Sequence, residues 1–332
     1  MDSKVALLLL VSFLLVAAPA YFGRRGFCAT MVRTEKVIHQ LPRMLIRAAA
    51  RARASCVPRG SPSYYPDRSS SLSKLPFSDR LCKAVGSSGG VAKCAAGGAE
   101  CDYKFSYGFH RHYTEGYLGS ETVTLGGDAM DGVGFGCTTM SVGNFGRSSG
   151  LVGLGRGPLS LVSQLDVGAF SYFLIPYTDP TAKPSPLLFG SLATLTGAGV
   201  QSTPLLPASR SARRRWSGFG MVFDSGTTLT YLAEPAYTAA KDAVLQQAAA
   251  AALPRAANRH GFEACFQASA GGGGSGSFPA MVLHFDGGAD MALPTANYIL
   301  EVGARRDGVS CWGVQRSPAA GTSIIGNIMQ MN

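Results

Sequence analysis

The chain of 332 residues is 46% hydrophobic and only 15% charged, and it contains 42 Gly and 18 Pro. This balance excludes a largely disordered chain and favours a glycine-punctuated β protein over a helical one, and the length allows two domains. The formal net charge of +10 does not predict nucleic-acid binding, because eight basic residues and one acidic residue between positions 24 and 53 account for +7 of it.

The first twenty residues have the pattern of a secretory signal peptide. Lys4 precedes an apolar run over 5–16, which ends in Ala18-Pro19-Ala20. We expect cleavage near Ala20, so that residues 1–20 are removed on export and no membrane span remains. A buried helix and a membrane anchor are the alternatives, although the run is short for a span.

The next segment, 21–55, is basic, and its apolar residues have helical spacing, which predicts an amphipathic helix. The simplest interpretation is a solvated helical linker, and the alternative is a propeptide lying over an acidic cleft. The apolar positions are Ile38, Leu41, Leu45 and Ile46.

From position 103 onward, short apolar segments separated by glycines predict an all-β body. One Ala-rich segment, 235–253, is instead predicted to be a helix that begins near Pro235. The polar segments 207–215 and 270–277 are predicted loops, and the arginines of the first are interpreted as solvated rather than as a polyanion site. The predicted strands cover 117–125, 132–137, 150–154, 170–175, 187–189, 281–285, 298–302, 311–314 and 323–328.

The tripeptide Asp224-Ser225-Gly226 carries the most chemical information. A short apolar strand precedes it, Gly226 permits a sharp turn, and the hydroxyls of Ser225 and Thr227 can donate hydrogen bonds that orient the carboxylate. Taken alone, the pattern is better interpreted as an ordinary turn after a strand.

Three other patterns carry little chemistry. Segment 146–150 fits G-x-S-x-G but lacks the flanking strand and helix, and 153–157 lacks the third glycine of a phosphate-binding loop. The five histidines form no spaced ligand set and no C-x-x-C occurs, so a metal site is disfavoured.

The nine residues 224–232, followed by a helix, resemble the second active-site loop of plant pepsin-like aspartic peptidases. Further segments resemble the nepenthesin-like branch of that family, and 27–54 is similar to its propeptides; the other matching segments are 113–122, 134–137, 149–161, 170–172, 201–206 and 323–327. The resemblance implies an all-β, bilobal pepsin-like fold, with a partial N-terminal lobe at 56–186 and a shortened C-terminal lobe at 187–332. It also implies a monomer in the secretory pathway, destined for the extracellular space (apoplast) or the vacuole.

By the same resemblance the activity is peptide-bond hydrolysis of polypeptide substrates by two aspartates and an activated water, with no metal or organic cofactor. Asp224 would be one of the two catalytic carboxylates, with Ser225 and Gly226 supporting the loop and Thr227 donating to the carboxylate. Tyr107 would be the flap residue over the substrate.

The chain departs from the family at the first catalytic aspartate, because Asp224 is in the only D-[ST]-G tripeptide of the sequence. Two carboxylates that share a proton supply one base and one acid, and a single aspartate cannot do so. Asp67, Asp79 and Asp102 lack the neighbouring glycine and hydroxyl and are interpreted as turn residues. We therefore predict an aspartic endopeptidase family member that is inactive, as a defective gene model, a splice variant or a pseudogene would produce.

A non-catalytic binder is the alternative, since pepsin-like cereal proteins that inhibit xylanases have lost catalytic residues. Its partner would be a glycosidase.

The cysteines of an exported chain are expected to pair. The resemblance implies the pairs Cys56–Cys137, Cys82–Cys94 and Cys265–Cys311. Phe77 stands where the partner of Cys101 is expected, so Cys101 is predicted to be unpaired.

Overall fold

The structure, a computed structural model, describes most of the chain in twelve stretches, and every structural statement below refers to these residues. They are 6–7, 27–31, 64–107, 112–125, 127–143, 150–177, 179, 184–205, 220–267, 278–302, 308–318 and 322–331.

An antiparallel sheet dominates the first half of the chain. Its long hairpin pairs β6 with β7, and β5, β4 and the short β3 complete the order β3-β6-β5-β4. Helix α1 packs on this sheet, and its N-cap Asp79 accepts a 2.7 Å hydrogen bond from the N–H of Leu81. The bounds are β3 Ser73–Lys74, α1 Arg80–Ser87, β4 Val91–Cys94, β5 Cys101–Tyr107, β6 His112–Leu125 and β7 Asp128–Val142.

A second sheet has the order β2-β9-β8 and is antiparallel throughout. It combines β2 (Phe27–Met31), β8 (Phe170–Tyr172) and β9 (Ser185–Phe189), and the short helix α2 (Leu161–Leu165) precedes it. The strand at 27–31 lies in the segment where the sequence predicted a helix, so that prediction is wrong there; residues 32–55 lie outside the described residues.

The C-terminal part holds a five-stranded sheet of order β1-β10-β18-β11-β17, in which β18 lies between β10 and β11. Three strands, β12, β16 and β15, and a hairpin, β13-β14, accompany it. The bounds are β1 Ala6–Leu7, β10 Gly220–Phe223, β11 Thr230–Leu232, α3 Ala236–Ala250, β12 Cys265–Gln267, β13 Met281–His284, β14 Asp290–Leu293, β15 Ile299–Glu301, β16 Val309–Trp312, β17 Val314–Arg316 and β18 Thr322–Ile325.

One hydrophobic core connects the second sheet to the C-terminal sheet. Phe170 and Phe189 belong to the same buried cluster as Met221, Phe223 and Trp312. Burial of aromatic side chains supplies a large share of the stabilisation of such a core. Strand β10, which precedes the D-S-G loop, is therefore packed into the core that it shares with the second sheet.

The all-β prediction is confirmed, and so is the helix after the D-S-G loop. The strand predicted at 150–154 is wrong: these residues form no strand, and Leu151 and Val152 are exposed rather than packed. Helix α1 and strand β4 were not predicted. The loops predicted at 207–215 and 270–277 lie outside the described residues. Within the described part, no helix is long and apolar enough to span a membrane.

Candidate active-site loop

Strand pairing places two loops at the same edge of the C-terminal sheet. Strands β10 and β18 are parallel, with Gly220 opposite Thr322 and Phe223 opposite Ile325, so their C-terminal ends coincide. The N–H of Asp224 donates a 3.0 Å hydrogen bond to the carbonyl of Ile325, which extends the pairing by one residue. Asp224 thus lies at a strand end, as the sequence predicted.

Two donors from its own turn orient the Asp224 carboxylate. Oδ1 accepts a 2.9 Å hydrogen bond from the Gly226 N–H, and Oδ2 accepts a 2.6 Å bond from the Thr227 hydroxyl. A side-chain Cβ at Gly226 would lie 3.1 Å from Oδ1, so a larger residue would crowd the carboxylate. The hydrogen bond expected from Thr227 to the carboxylate is therefore present, and the role of Thr227 in a catalytic site stays a prediction.

The second loop, Gly326-Asn327, locks the first in place. The Asn327 N–H donates to the carbonyl of Thr227 at 2.7 Å, and the Asn327 side-chain amide donates to the carbonyl of Ser225 at 3.2 Å. Ser225 therefore contacts the second loop through its backbone carbonyl, whereas the sequence had suggested a role for its hydroxyl. The sequence flagged segment 323–327 only as a family match and did not assign Asn327 a role.

Close packing at Gly326 joins the loops further. Its N–H donates to the hydroxyl of Thr230 at 3.1 Å, and a Cβ at this position would lie 2.3 Å from the carbonyl oxygen of Leu229. Such a distance is far inside van der Waals contact, so only glycine fits here without movement of the backbone.

Tyr172 reaches this site from strand β8. Its hydroxyl donates to Oε1 of Gln330, and Nε2 of Gln330 donates to the carbonyl of Ile325 at 2.8 Å. Burial raises the pKa of Tyr172, and the negative charge of Asp224 raises it further. The charge of Asp224 therefore acts on a residue of the second sheet, a relationship that the sequence did not indicate beyond the matching segment 170–172.

Tyr107 lies at the end of β5, opposite His112 across the hairpin, and its hydroxyl accepts a 3.5 Å hydrogen bond from Thr114. The hairpin tip, 108–111, lies outside the described residues. The position fits a flap hairpin, and the role of Tyr107 over a substrate stays a prediction.

The other aspartates considered for a catalytic role occupy structural positions. Asp67 is exposed in a short 3-10 helix (Pro66–Arg68), and Asp79 caps helix α1. Asp102 lies within strand β5, opposite Tyr117, and not in a turn as predicted. Among the described residues, the Asp224 carboxylate receives its hydrogen bonds from Gly226 and Thr227 and from no second carboxyl group. The same part of the chain holds no group of three His, Cys, Asp or Glu side chains able to bind a metal ion.

The disulfides agree with the sequence at one predicted pair and differ at another. Cys265 and Cys311 are bonded, with their Cα atoms 4.0 Å apart in register across β12 and β16. Cys82 is bonded to Cys101, whose Cα atom is 6.0 Å away, and not to Cys94.

The predicted Cys82–Cys94 pair is wrong because Cys82 on α1 and Cys101 on β5 are both buried in the core between helix and sheet. Cys94 lies on the edge strand with an exposed free thiol. Cys137 is disulfide-bonded, and Cys56, the partner that the resemblance implied, lies outside the described residues.

A buried carboxylate binds the segment before α1 to the sheet. Glu121 on β6 accepts hydrogen bonds from the hydroxyls of Tyr64 (2.5 Å), Ser69 (2.6 Å) and Ser71, and from the N–H of Thr122 (2.9 Å). The donors from Ser69, Ser71 and Tyr64 lower the pKa of Glu121 to about 2, and burial, with the bond to Glu121, raises the pKa of Tyr64 to about 12. The sequence did not single out Glu121.

Two family models match the chain in succession: one described as the N-terminal part of xylanase inhibitors, over residues 49–191, and one described as their C-terminal part, over 193–332. The chain is 36% identical to aspartic proteinase nepenthesin-1 of Nepenthes gracilis over 304 residues, covering 83% of this chain and 66% of that protein. It is 31% identical to aspartyl protease 25 of rice, Oryza sativa subsp. japonica, over 370 residues, covering 95% and 78%.

The chain therefore belongs to the plant pepsin-like aspartic peptidase family A1, in its nepenthesin-like branch. It spans about two thirds of the length of nepenthesin-1 and nepenthesin-2.

Solved structures show the same fold at low sequence identity. Basic 7S globulin from soybean matches with a TM-score of 0.54 and 16% identity, covering 84% of this chain and 81% of that one. The structure titled edgp matches with a TM-score of 0.52 and 17% identity, with the same coverage. The bilobal pepsin-like fold expected from the sequence is confirmed.

Proposed function

We propose that this chain is a pepsin-like aspartic peptidase homologue that does not hydrolyse peptide bonds. The observation that supports the proposal most is the single D-S-G loop, in which hydrogen-bond donors orient Asp224 and no described carboxyl group accompanies it.

The chemistry of the family explains why one aspartate is insufficient. Hydrolysis requires a base that activates water and an acid that protonates the leaving amine, and two adjacent carboxylates provide both by sharing one proton. Asp224 alone can act as a base, but no second carboxyl group among the described residues is placed to act as the acid. Loss of members of a catalytic unit lowers kcat by about 10⁴ to 10⁶.

We infer that the chain enters the secretory pathway, with residues 1–20 as the signal peptide and a final location outside the cell or in the vacuole. Residues 21–55 are proposed as the propeptide-like segment, 56–186 as the partial N-terminal lobe and 187–332 as the partial C-terminal lobe. Strand β2 pairs with β9, so the propeptide-like segment adds a strand to the body of the protein. N-terminal sequencing of the protein recovered from source tissue tests these boundaries.

Activity is tested with the purified chain and a quenched fluorescent peptide, from about pH 2 to 7, where carboxylates titrate. We expect no hydrolysis that pepstatin inhibits, and no difference from an Asp224→Asn control. Turnover that pepstatin blocks and Asp224→Asn abolishes would overturn the proposal and require a second carboxylate elsewhere in the chain.

A non-catalytic binder of polypeptide partners is the second candidate, and the description of both matching family models as xylanase inhibitors favours it. The partner would be a secreted glycosidase, held by the loops that bind substrate in the peptidases, and the chain itself would be a monomer. Size-exclusion chromatography of the chain with a purified xylanase tests this candidate. A stoichiometric complex without proteolysis supports it, and separate elution at micromolar concentrations of both proteins contradicts it.

A further inference from the structure

Three cysteines meet where helix α1 packs on the sheet. Cys94 on β4 lies directly opposite Cys101 on β5, and Cys101 is bonded to Cys82 on α1. Cys82 and Cys101 are buried, whereas the Cys94 side chain is exposed and its Sγ lies 2.8 Å from the carbonyl oxygen of Gly98. A free thiol is thus held beside a disulfide.

The hydrogen bonds define the type of strand pair that Cys94 and Cys101 form. The next residue pair is hydrogen-bonded, since the N–H of Ala95 donates to the carbonyl of Glu100 at 3.0 Å. The N–H of Cys101 points away from β4 and donates to the carbonyl of Leu75 at 2.9 Å. Cys94 and Cys101 are therefore a non-hydrogen-bonded pair.

Residues in such a pair have Cα atoms about 4.5 Å apart and side chains on the same face of the sheet. That separation lies inside the range of about 4.4 to 6.8 Å found between the Cα atoms of bonded cysteines. Strand geometry therefore allows Cys101 to bond to Cys94 as well as to Cys82.

We propose that Cys82, Cys94 and Cys101 form an internal thiol–disulfide exchange site. The Cys94 thiolate attacks Sγ of Cys101, a Cys94–Cys101 bond forms, and the Cys82–Cys101 bond breaks. The electron pair of the broken bond leaves on Cys82, which takes up a proton as Cys94 has given one up. One disulfide and one thiol are present before and after the step, so the exchange needs no oxidant or reductant.

The exchange changes what holds helix α1. The Cys82–Cys101 bond ties α1 to β5, whereas a Cys94–Cys101 bond ties two strands that are already paired. After exchange, α1 keeps its cap at Asp79 and the packing of Leu81 and Val85, but loses its covalent tether. The free thiol moves from the exposed edge strand to the buried helix face.

Differential alkylation of the native chain tests the exchange without any substitution. The protein is incubated at pH 5, 7 and 8.5, its thiols are trapped with N-ethylmaleimide, and disulfide-linked peptides are mapped by mass spectrometry after digestion in acid. We expect two species, Cys82–Cys101 with Cys94 alkylated and Cys94–Cys101 with Cys82 alkylated. Their interconversion should slow about tenfold for each pH unit below the thiol pKa, because the thiolate is the attacking form. The Cys265–Cys311 pair is the internal control and should not change.

Two substitutions sharpen the test. Cys82→Ser should yield the Cys94–Cys101 bond in a glutathione redox buffer, and Cys94→Ser should yield only Cys82–Cys101. Cys94 as the sole alkylated residue of the three at every pH, together with free Cys94 and Cys101 in Cys82→Ser, would overturn the proposal. A Cys82–Cys94 bond in the native chain would also overturn it, because the attack would then fall on the other sulfur.

Discussion

The hydroxyl of Thr227 donates a 2.6 Å hydrogen bond to Oδ2 of Asp224, three residues earlier in the chain. The backbone of Thr227 is bound as well, since its N–H donates to the Asp224 carbonyl and its own carbonyl accepts from Asn327. The carboxylate is therefore oriented by a residue that two loops hold in position.

Removal of this hydroxyl should destabilise the loop. Thr227→Val keeps the shape of the side chain but leaves Oδ2 of Asp224 without its side-chain donor, and we expect a loss of about 1 to 2 kcal/mol in the free energy of unfolding. Urea denaturation followed by tryptophan fluorescence measures it. Thr227→Ser retains the hydroxyl and should lose less; a larger loss in Thr227→Ser than in Thr227→Val would show that the methyl group, and not the hydrogen bond, matters.

Substitution of Gly326 should be more costly. In Gly326→Ala the added Cβ would lie 2.3 Å from the carbonyl oxygen of Leu229, so the two loops must separate, and we expect a loss of about 2 to 4 kcal/mol. Gly153→Ala is the matched control, because a Cβ there meets no atom within 4 Å. Thermal unfolding of both variants compares them, and a melting temperature for Gly326→Ala equal to that of the control contradicts the close packing.

Local patterns in the sequence predicted the D-S-G turn, because its strand, glycine and hydroxyls are consecutive. Asp224, Gly226 and Thr227 interact within one turn, so their geometry follows from local spacing. Asn327 and Tyr172 instead make hydrogen bonds to residues more than a hundred positions away in the chain. The order of the strands in the sheet determines which of these distant loops meet. For this reason the sequence marked their segments as family matches without assigning their contacts.

The wrong prediction of a Cys82–Cys94 disulfide has the same origin. Cys82 lies on a helix that the sequence did not predict, and helix packing selects Cys101 over Cys94 as its partner. A pairing inferred from resemblance could not include the position of α1. The strand predicted at 150–154 fails for a related reason: Leu151 and Val152 are apolar, but within the described part of the chain both are exposed and pair with no strand.

The partly buried hydroxyl of Tyr172 predicts that the stability of the protein depends on alkaline pH. Its pKa is raised in the folded protein, so the unfolded chain releases the phenolic proton more readily, and stability falls as the pH rises above the ordinary tyrosine value of about 10. Tyr172→Phe should cost about 1 kcal/mol near pH 7, since Oε1 of Gln330 loses its donor. The variant should also show a smaller loss of stability between about pH 9 and 11. Tyr65→Phe, at an exposed position, is the control and should change neither the stability near pH 7 nor its alkaline decline.

The hydrogen bonds to Glu121 predict how the stability of the protein changes in acid. The pKa of Glu121 is lowered from its ordinary value of 4.5 to about 2 by the hydroxyls of Ser69, Ser71 and Tyr64. A carboxyl group with a lowered folded-state pKa stabilises the protein fully above the pKa of the unfolded chain, and this contribution is lost as the pH falls towards the folded-state pKa. Stability from Glu121 should therefore be complete near pH 6 and should decline from about pH 4.5 to about 2.

Glu121→Gln tests this directly. The surrounding hydroxyls and the N–H of Thr122 all donate hydrogen bonds, and the amide group of glutamine would place a further donor among them. At pH 6 we therefore expect a loss of about 2 to 3 kcal/mol in the free energy of unfolding. The gap to the wild type should narrow progressively as the pH is lowered to about 2.5, because protonation removes the same interactions from Glu121. Glu301→Gln, at an exposed strand end, is the matched control and should follow the wild type throughout. Urea unfolding at several pH values measures all three proteins. A gap that stays constant from pH 6 to pH 2.5 would show that the hydroxyls bind Glu121 without favouring its ionised form.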